Sequence, residues 1–301
     1  MLTYDHIAEN KRKTVLLIGT FLVLIMALGW TFSAAYNEPV ILWLAVIFST
    51  VMSLISYYFS ADITLALSSA KLVDRNTNQE LYRLVENLCI AAGLPTPKIY
   101  MIEDTAMNAF ATGRDPQHAI IVFTTGIIER LNRQELEGVA AHELSHIGNY
   151  DIRVMTIVVI LVGIITLLAD LLLRMSFRGG RRSKDGANGI ILIVGVALAL
   201  LTPVFATLLQ LAVSRKREFL ADASGALLTR YPDGLASALE KLSADTEPLE
   251  AANKATAHLY IVNPLKDYKG RAGVGWFAGL FNTHPPIAER VARLRQMHVP
   301  E

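Results

Sequence analysis

Charge is scarce in this chain. Asp, Glu, Lys and Arg make up 18% of its 301 residues, whereas a soluble globular domain carries closer to about 25%. What charge there is nearly cancels, to a net of +1 at pH 7, which removes the electrostatic case for a nucleic-acid partner. Cysteine is almost absent. Cys89 stands alone, so neither an intramolecular disulfide nor a Cys-rich zinc site can form. Any zinc would need histidine and carboxylate ligands, and Cys89 itself reads as a small buried residue on a helix. No internal repeat or low-complexity segment occurs. In place of charge the chain has apolar sequence, 52% of its residues with a mean hydropathy of +0.38. That is the balance of an integral membrane protein.

The apolar residues gather in four runs. Lys11, Arg12 and Lys13 precede Val15 to Ala35, which is too long for a signal peptide and long enough to span a bilayer. A break at Asn37-Glu38-Pro39 leads into Val40 to Ser60, and the two runs read as a transmembrane hairpin with Trp30, Tyr36, Tyr57 and Tyr58 at its interfaces. The basic residues ahead of the first run put both hairpin ends in the cytoplasm. Val154 to Leu173 is the third run, interrupted only by Asp170, either a partner for Arg174 one turn on or an intramembrane functional carboxylate. Gly189 to Val213 is the fourth. Between them Arg174, Arg178, Arg181, Arg182 and Lys184 would oppose the positive-inside tendency if both runs crossed. The last two runs therefore either both span or both rest in or beside the membrane.

The rest of the chain is soluble in character. Leu81, Leu84, Val85 and Leu88 form a helical stripe over Asn78 to Ala92, which Pro95-Thr96-Pro97 ends. Lys98 to Ile102 and His118 to Thr124 read as strands, with Asn108 to Thr112 and a turn at Gly113 to Pro116 completing a small β-hairpin. Asn132 with Glu135 is a capping box opening a helix. Beyond the fourth run, Ser214 to Leu228 and Leu235 to Leu242 are helical, Lys266 to Gly279 is irregular, and Thr283-His284-Pro285-Pro286 opens a last helix through Met297.

The capping box opens onto Ala141-His142-Glu143-Leu144-Ser145-His146, an HExxH motif. On a helix His142 and His146 project from one face, close enough to share one Zn²⁺, and Glu143 is placed to take a proton from water. A catalytic zinc needs a third protein ligand and an open position. No third histidine follows at the metzincin spacing, so that ligand comes from elsewhere. Glu218 is the candidate, sharing a helix face with Asp222, which suits a ligand and a carboxylate that hydrogen-bonds a ligand histidine. The plain alternative is a solvated acidic pair. His284, fixed ahead of a helix by two prolines, is a candidate for stabilising an oxyanion or a structural cap. Asn108, at a strand edge, could hold a substrate's backbone. Because the candidate ligands flank runs three and four, sharing a metal requires that both runs cross or that neither does. Val154 to Leu173 would rise about 30 Å, the thickness of the hydrocarbon core.

Together the two N-terminal runs, Asn108-Ala109-Phe110-Ala111, His142-Glu143-Leu144-Ser145-His146, two further apolar runs, Glu218-Phe219-Leu220-Ala221-Asp222 and His284-Pro285-Pro286 with Arg290 resemble the HtpX family of membrane zinc metalloproteases, relatives of the CAAX prenyl endopeptidases. The resemblance covers nearly the whole chain. It implies a gluzincin with one Zn²⁺ per chain on His142, His146 and Glu218, and Glu143 as general base. It further implies that Asp222 orients a ligand, that Asn108 and His284 contact substrate or its transition state, and that Arg290 pairs with carboxylates of the site. The fold expected is a mainly α integral membrane protein, with four hydrophobic helices and a cytoplasmic zincin-like α+β protease domain holding a small sheet. Its segments would be 1–61 (transmembrane hairpin), 62–153 (protease part with HExxH), 154–213 (second hydrophobic hairpin) and 214–301 (protease part with the third ligand). The function implied is endoproteolysis of damaged or misfolded membrane proteins from the cytoplasmic side of a bacterial inner membrane, with the lipid bilayer and membrane-protein substrates as partners. A narrow-specificity peptide or prenyl-protein protease is the enzymatic alternative, and a non-catalytic metal-binding scaffold the alternative from another class. An ion transporter is disfavoured, since the apolar runs offer only Asp170 and Gln210 as polar groups.

Overall fold

The computed structural model describes residues 3–178, 193–194, 215–251, 256–264 and 285–297. The fourth apolar run apart from residues 193–194, most of the Arg-rich loop, the Gly-rich stretch and His284 lie outside the described residues. Among those described, three helices are long and apolar enough to cross a membrane. They belong to α1 (Thr3–Tyr36), α2 (Val40–Tyr58) and α7 (Asp151–Arg178).

Helices α1 and α2 form the expected hairpin. Asn37 takes a left-handed conformation at φ 53°, which asparagine tolerates, and Pro39 restarts the chain at the head of α2. Gly29 sets the closeness of the crossing, because a Cβ there would lie 2.3 Å from that of Ala45. Outward-facing Val15, Trp30, Trp43, Leu44 and Ile47 stay exposed, as suits side chains that meet lipid. Helix α7 is the inner one: 60% of its apolar window is buried, against 17% for each of the other two. Its Ile157, Ile160, Leu161, Ile164 and Ile165 pack on Phe21 and Ile25 of α1. Asp170 pairs with Arg174 at 2.7 Å on an exposed face, the plain one of its two readings.

Beside these helices lies a four-stranded sheet in the order β1-β2-β4-β3, built from β1 (Lys71–Leu72), β2 (Lys98–Ile102), β3 (Ala109–Gly113) and β4 (Ala119–Thr124). The expected hairpin is present as β3–β4, but β2 runs parallel to β4, so the sheet is mixed. Every position of β3 and β4 is buried, because both faces are covered. Alternate residues go opposite ways. Ala109, Ala111, Ile121 and Phe123 join the main core with α4 (Gln79–Ala92) and α6 (Arg133–Gly148), whereas Phe110, Ile120 and Val122 join Leu65 of α3 (Ser60–Ser68) and Met155 of α7. The main core and the apolar helix α7 thus share the sheet.

After α5 (Thr125–Arg130), α6 starts at the predicted capping box: Asn132 accepts from the Glu135 amide at 3.0 Å and Glu135 accepts from the Asn132 amide at 2.8 Å. The C-terminal helices α8 (Arg215–Thr229), α9 (Pro232–Ala244) and α10 (Ile287–Arg295) close over α6. Gly225 lets α8 approach, since a Cβ there would lie 3.0 Å from the His142 amide nitrogen. That crossing brings the face of α8 carrying Glu218 and Asp222 against the HExxH helix.

Candidate metal centre

His142 and His146 are one turn apart on α6, buried to 1% and 4% exposure. Their Nε2 atoms lie 3.2 Å apart with the rings perpendicular. Glu218, fully buried on α8, puts Oε1 3.5 Å from His146 Nε2 and Oε2 3.8 Å from His142 Nε2. Ligand atoms around a tetrahedral zinc with bonds of about 2.0–2.1 Å stand roughly 3.3–3.5 Å from one another. The three residues therefore fit a metal ion: one donor atom from each lies within 4.8 Å of the others. Glu143 is buried at 2% exposure, and its carboxylate acts electrostatically on both His146 and Arg290.

What fixes the imidazoles is on their far side. His142 Nδ1 lies 3.0 Å from Asp222 Oδ1, and His146 Nδ1 lies 3.0 Å from Asp151 Oδ2. An Nδ1–H donated to each carboxylate leaves both Nε2 lone pairs facing the same point, the tautomer a metal requires. Each aspartate is in turn held by an arginine. Arg290, fully buried on α10, forks onto Asp222 with bonds of 2.6 and 2.8 Å, the bidentate geometry that strengthens an ion pair. Burial alone would raise the Asp222 carboxyl, but Arg290 and His142 outweigh it and hold it below the usual carboxylate range. Arg217 donates from Nη1 to Asp151 Oδ1 at 3.1 Å. Burial alone would lower His146, yet Asp151, Glu218 and Glu143 push it up to about 9. The centre attracts positive charge.

Asn108 is 2% exposed at the head of β3, the outer strand of the sheet beside α6. Its Nδ2 donates to the Val262 carbonyl at 2.9 Å, the Ile261 amide donates to the Ala109 carbonyl at 2.9 Å, and Arg290 Nη1 donates to the Ile261 carbonyl at 3.2 Å. Tyr260 packs edge-on against Phe110, with centroids 4.8 Å apart. The chain's own segment 260–262 therefore runs along the free edge of β3. The structure thus brings together His142, Glu143, His146, Glu218, Asp222, Arg290 and Asn108, with His284 outside the described residues. Sequence reasoning missed Asp151, Arg217 and the 260–262 segment. An acid five residues past the second histidine was the one signal for Asp151, and at a helix start it reads as an ordinary N-terminal acid.

The model of peptidase family M48 matches residues 75–298. The protease HtpX homolog of Dictyoglomus thermophilum is 46% identical over 297 residues, covering 98% of this chain and 94% of that one. The protease HtpX homolog of Tropheryma whipplei is 42% identical over 294 residues, covering 98% of each chain. Among solved structures, the crystal structure of S. mikatae Ste24p superposes with a TM-score of 0.51 over 97% of this chain and 67% of that one. At 19% identity that likeness is one of fold.

Proposed function

The chain belongs to peptidase family M48 and is a membrane metalloprotease; from that premise we propose that it is a zinc endopeptidase of membrane-protein quality control. The observation that carries this is the convergence of His142 Nε2, His146 Nε2 and the Glu218 carboxylate on one buried point. A donor set of two histidines and a glutamate suits zinc, with room for an open position. Held by His142, His146 and Glu218, a zinc ion would supply Lewis acidity toward the scissile carbonyl and the attacking water.

The chain's own groups do the rest. Glu143 takes the proton of the attacking water and delivers it to the departing amine. Asp222 and Asp151 keep the two imidazoles in register. Asn108 and the Ala109 carbonyl hold the backbone of an extended substrate along β3, and the 260–262 segment that now makes those bonds gives way to it. His284 contributes to oxyanion stabilisation. Arg290 neutralises Asp222, 2.6 Å from its guanidinium, and lies 3.6 Å from Glu218.

The site faces the side of the membrane that holds the N-terminus. Supporting this, Asn10, just ahead of the first apolar run, donates to Asn149 O at 2.9 Å at the end of the HExxH helix. Lys11, Arg12 and Lys13 beside it make that side the cytoplasm. Glu218 lies 3.5 Å from His146, which supports placing the stretches on either side of segment 154–213 on one face of the membrane; we assign that segment as a second hydrophobic hairpin beside the first (1–61), the parity holding whether both of its runs cross or neither does. The protease parts 62–153 and 214–301 are then both cytoplasmic, facing damaged membrane proteins of a bacterial inner membrane. The test is Glu143→Gln, which keeps zinc and abolishes cleavage of a membrane-protein substrate. Full activity in that variant refutes the mechanism.

A further inference from the structure

We infer that Asn10, on the N-terminal membrane helix, is a positioning residue for His146, acting through Asp151. Asn10 is 2% exposed on a helix whose neighbouring apolar residues Val15 and Leu16 are 71% and 65% exposed. Its Nδ2 donates to Asp151 Oδ1 at 2.8 Å and to the Asn149 carbonyl at 2.9 Å. Its Oδ1 accepts from Arg217 Nη1 at 3.0 Å, and the same nitrogen donates to Asp151 Oδ1 at 3.1 Å. Asn10, Asp151 and Arg217 thus close a triangle drawn from α1, α7 and α8.

The chemistry of the triangle explains the residue type. Asp151 spends Oδ2 on His146 Nδ1, so the tilt of that carboxylate, and with it the ring, depends on what grips Oδ1. Arg217 supplies only donors, and a donor to Oδ1 alone leaves the carboxylate free to swing about it. A carboxamide offers a donor to the carboxylate and an acceptor to the guanidinium at once. Aspartate would turn an acceptor toward an acceptor, and alanine would supply neither. Arg217 also directly precedes Glu218, so the triangle ties the backbone of one ligand to the ring of another. Its partners are 139, 141 and 207 residues away from Asn10. The N-terminal helix is thereby a structural member of the metal centre as well as a membrane anchor.

This inference rests on the metal-site reading, and its test separates the two. Zinc affinity of the full-length protein in detergent is measured by competition with a chromogenic chelator, alongside thermal unfolding of the chelated protein. Asp151→Ala should weaken zinc binding by about 10–100-fold, as loss of a partner to a ligand histidine does. Asn10→Ala and the isosteric Asn10→Asp should each weaken it several-fold, with kcat falling and KM holding. The decisive variant is the double one. If Asn10 acts through Asp151, Asn10→Ala adds no further loss of zinc affinity to Asp151→Ala. Wild-type zinc affinity in Asn10→Asp, or an Asn10→Ala loss undiminished in the Asp151→Ala background, would overturn the inference and leave Asn10 a plain tether of α1. A wild-type protein that binds no zinc overturns the metal reading itself, and this inference with it.

Discussion

Arg290→Met should be among the most damaging single changes in the soluble part of this protein, and the structure says by how much. The guanidinium is fully buried and bonds Asp222 at 2.6 and 2.8 Å, with a third bond to the Ile261 carbonyl at 3.2 Å. Glu218 lies 3.6 Å away. Methionine fills the volume but leaves a buried carboxylate with, among the described residues, only His142 beside it. Removing one partner of a buried pair costs about 3–5 kcal/mol, most of it the uncompensated charge left behind. For a chain of this size each kcal/mol moves the unfolding midpoint by roughly 2–4 °C, so the variant should melt about 6–20 °C below wild type. The control is Arg75→Met, which breaks an ion pair in which Arg75 Nη2 donates to both Glu86 oxygens at 2.9 and 3.1 Å. That pair is exposed, so its loss should cost at most about 1 kcal/mol. Both are compared by thermal unfolding of chelated protein in detergent, so that bound metal masks neither. Adding Asp222→Asn to Arg290→Met should recover part of the loss, because the orphaned charge is then gone. If Arg290→Met melts within a degree or two of Arg75→Met, the account of this site as a charge-balanced buried network is wrong.

Three further outcomes are expected. Glu218→Ala should leave the purified protein with substoichiometric zinc by elemental analysis, and tight stoichiometric zinc in that variant would refute the third-ligand assignment. In the Glu143→Gln background, an extended peptide substrate should strip hydrogen-exchange protection from the Ile261 amide while the β3–β4 amides keep theirs; unchanged protection with peptide bound would mean that substrate does not use the edge of β3. Burial raises the Cys89 thiol to about 11, against a weaker opposing hydrogen bond from Thr96. Only about one part in a thousand is then thiolate at pH 8, and alkylation should run more than about a hundredfold slower in native than in unfolded protein.

The parts of this molecule that were legible in the sequence are those whose physics is local. Asn132 and Glu135 announced the start of the HExxH helix because both halves of a capping box lie within one turn. Glu218 and Asp222 could be put on one face of one helix, and Asp170 opposite Arg174, from spacing alone. The hairpin of α1 and α2 followed from two apolar runs and a break. The rest depends on contacts the spacing does not encode. A parallel β2 beside β4 cannot be told from a simple hairpin by alternation, since both leave strands buried on two faces. Strand β1 is two residues long and has no periodicity to read. Asp151 reaches His146 only because Tyr150 turns the chain through φ 60° between α6 and α7. Segment 260–262 lies on β3 across a separation of 154 residues between Asn108 and Val262. The pairing of Arg290 came from a family resemblance, and no pattern around it would have supplied it.

The charges around His142, His146 and Glu218 explain why these distant pieces belong together. Each of the two clustered histidines is backed by an aspartate and each aspartate by an arginine: His142 with Asp222 and Arg290, His146 with Asp151 and Arg217. Those two relays are neutral when the imidazoles are neutral. Glu143 and Glu218, both buried, then remain as two excess negative charges, which is the charge a divalent cation cancels. Without a cation the imbalance falls on the histidines, which is the direction in which His146 moves. Burying four carboxylates near one point is tolerable only if this balance holds, and its two guanidiniums arrive on α8 and α10 while Asn10 on α1 fixes one of them. The fold therefore draws both ends of the described chain into one electrostatic unit, and a metal ion completes its neutrality.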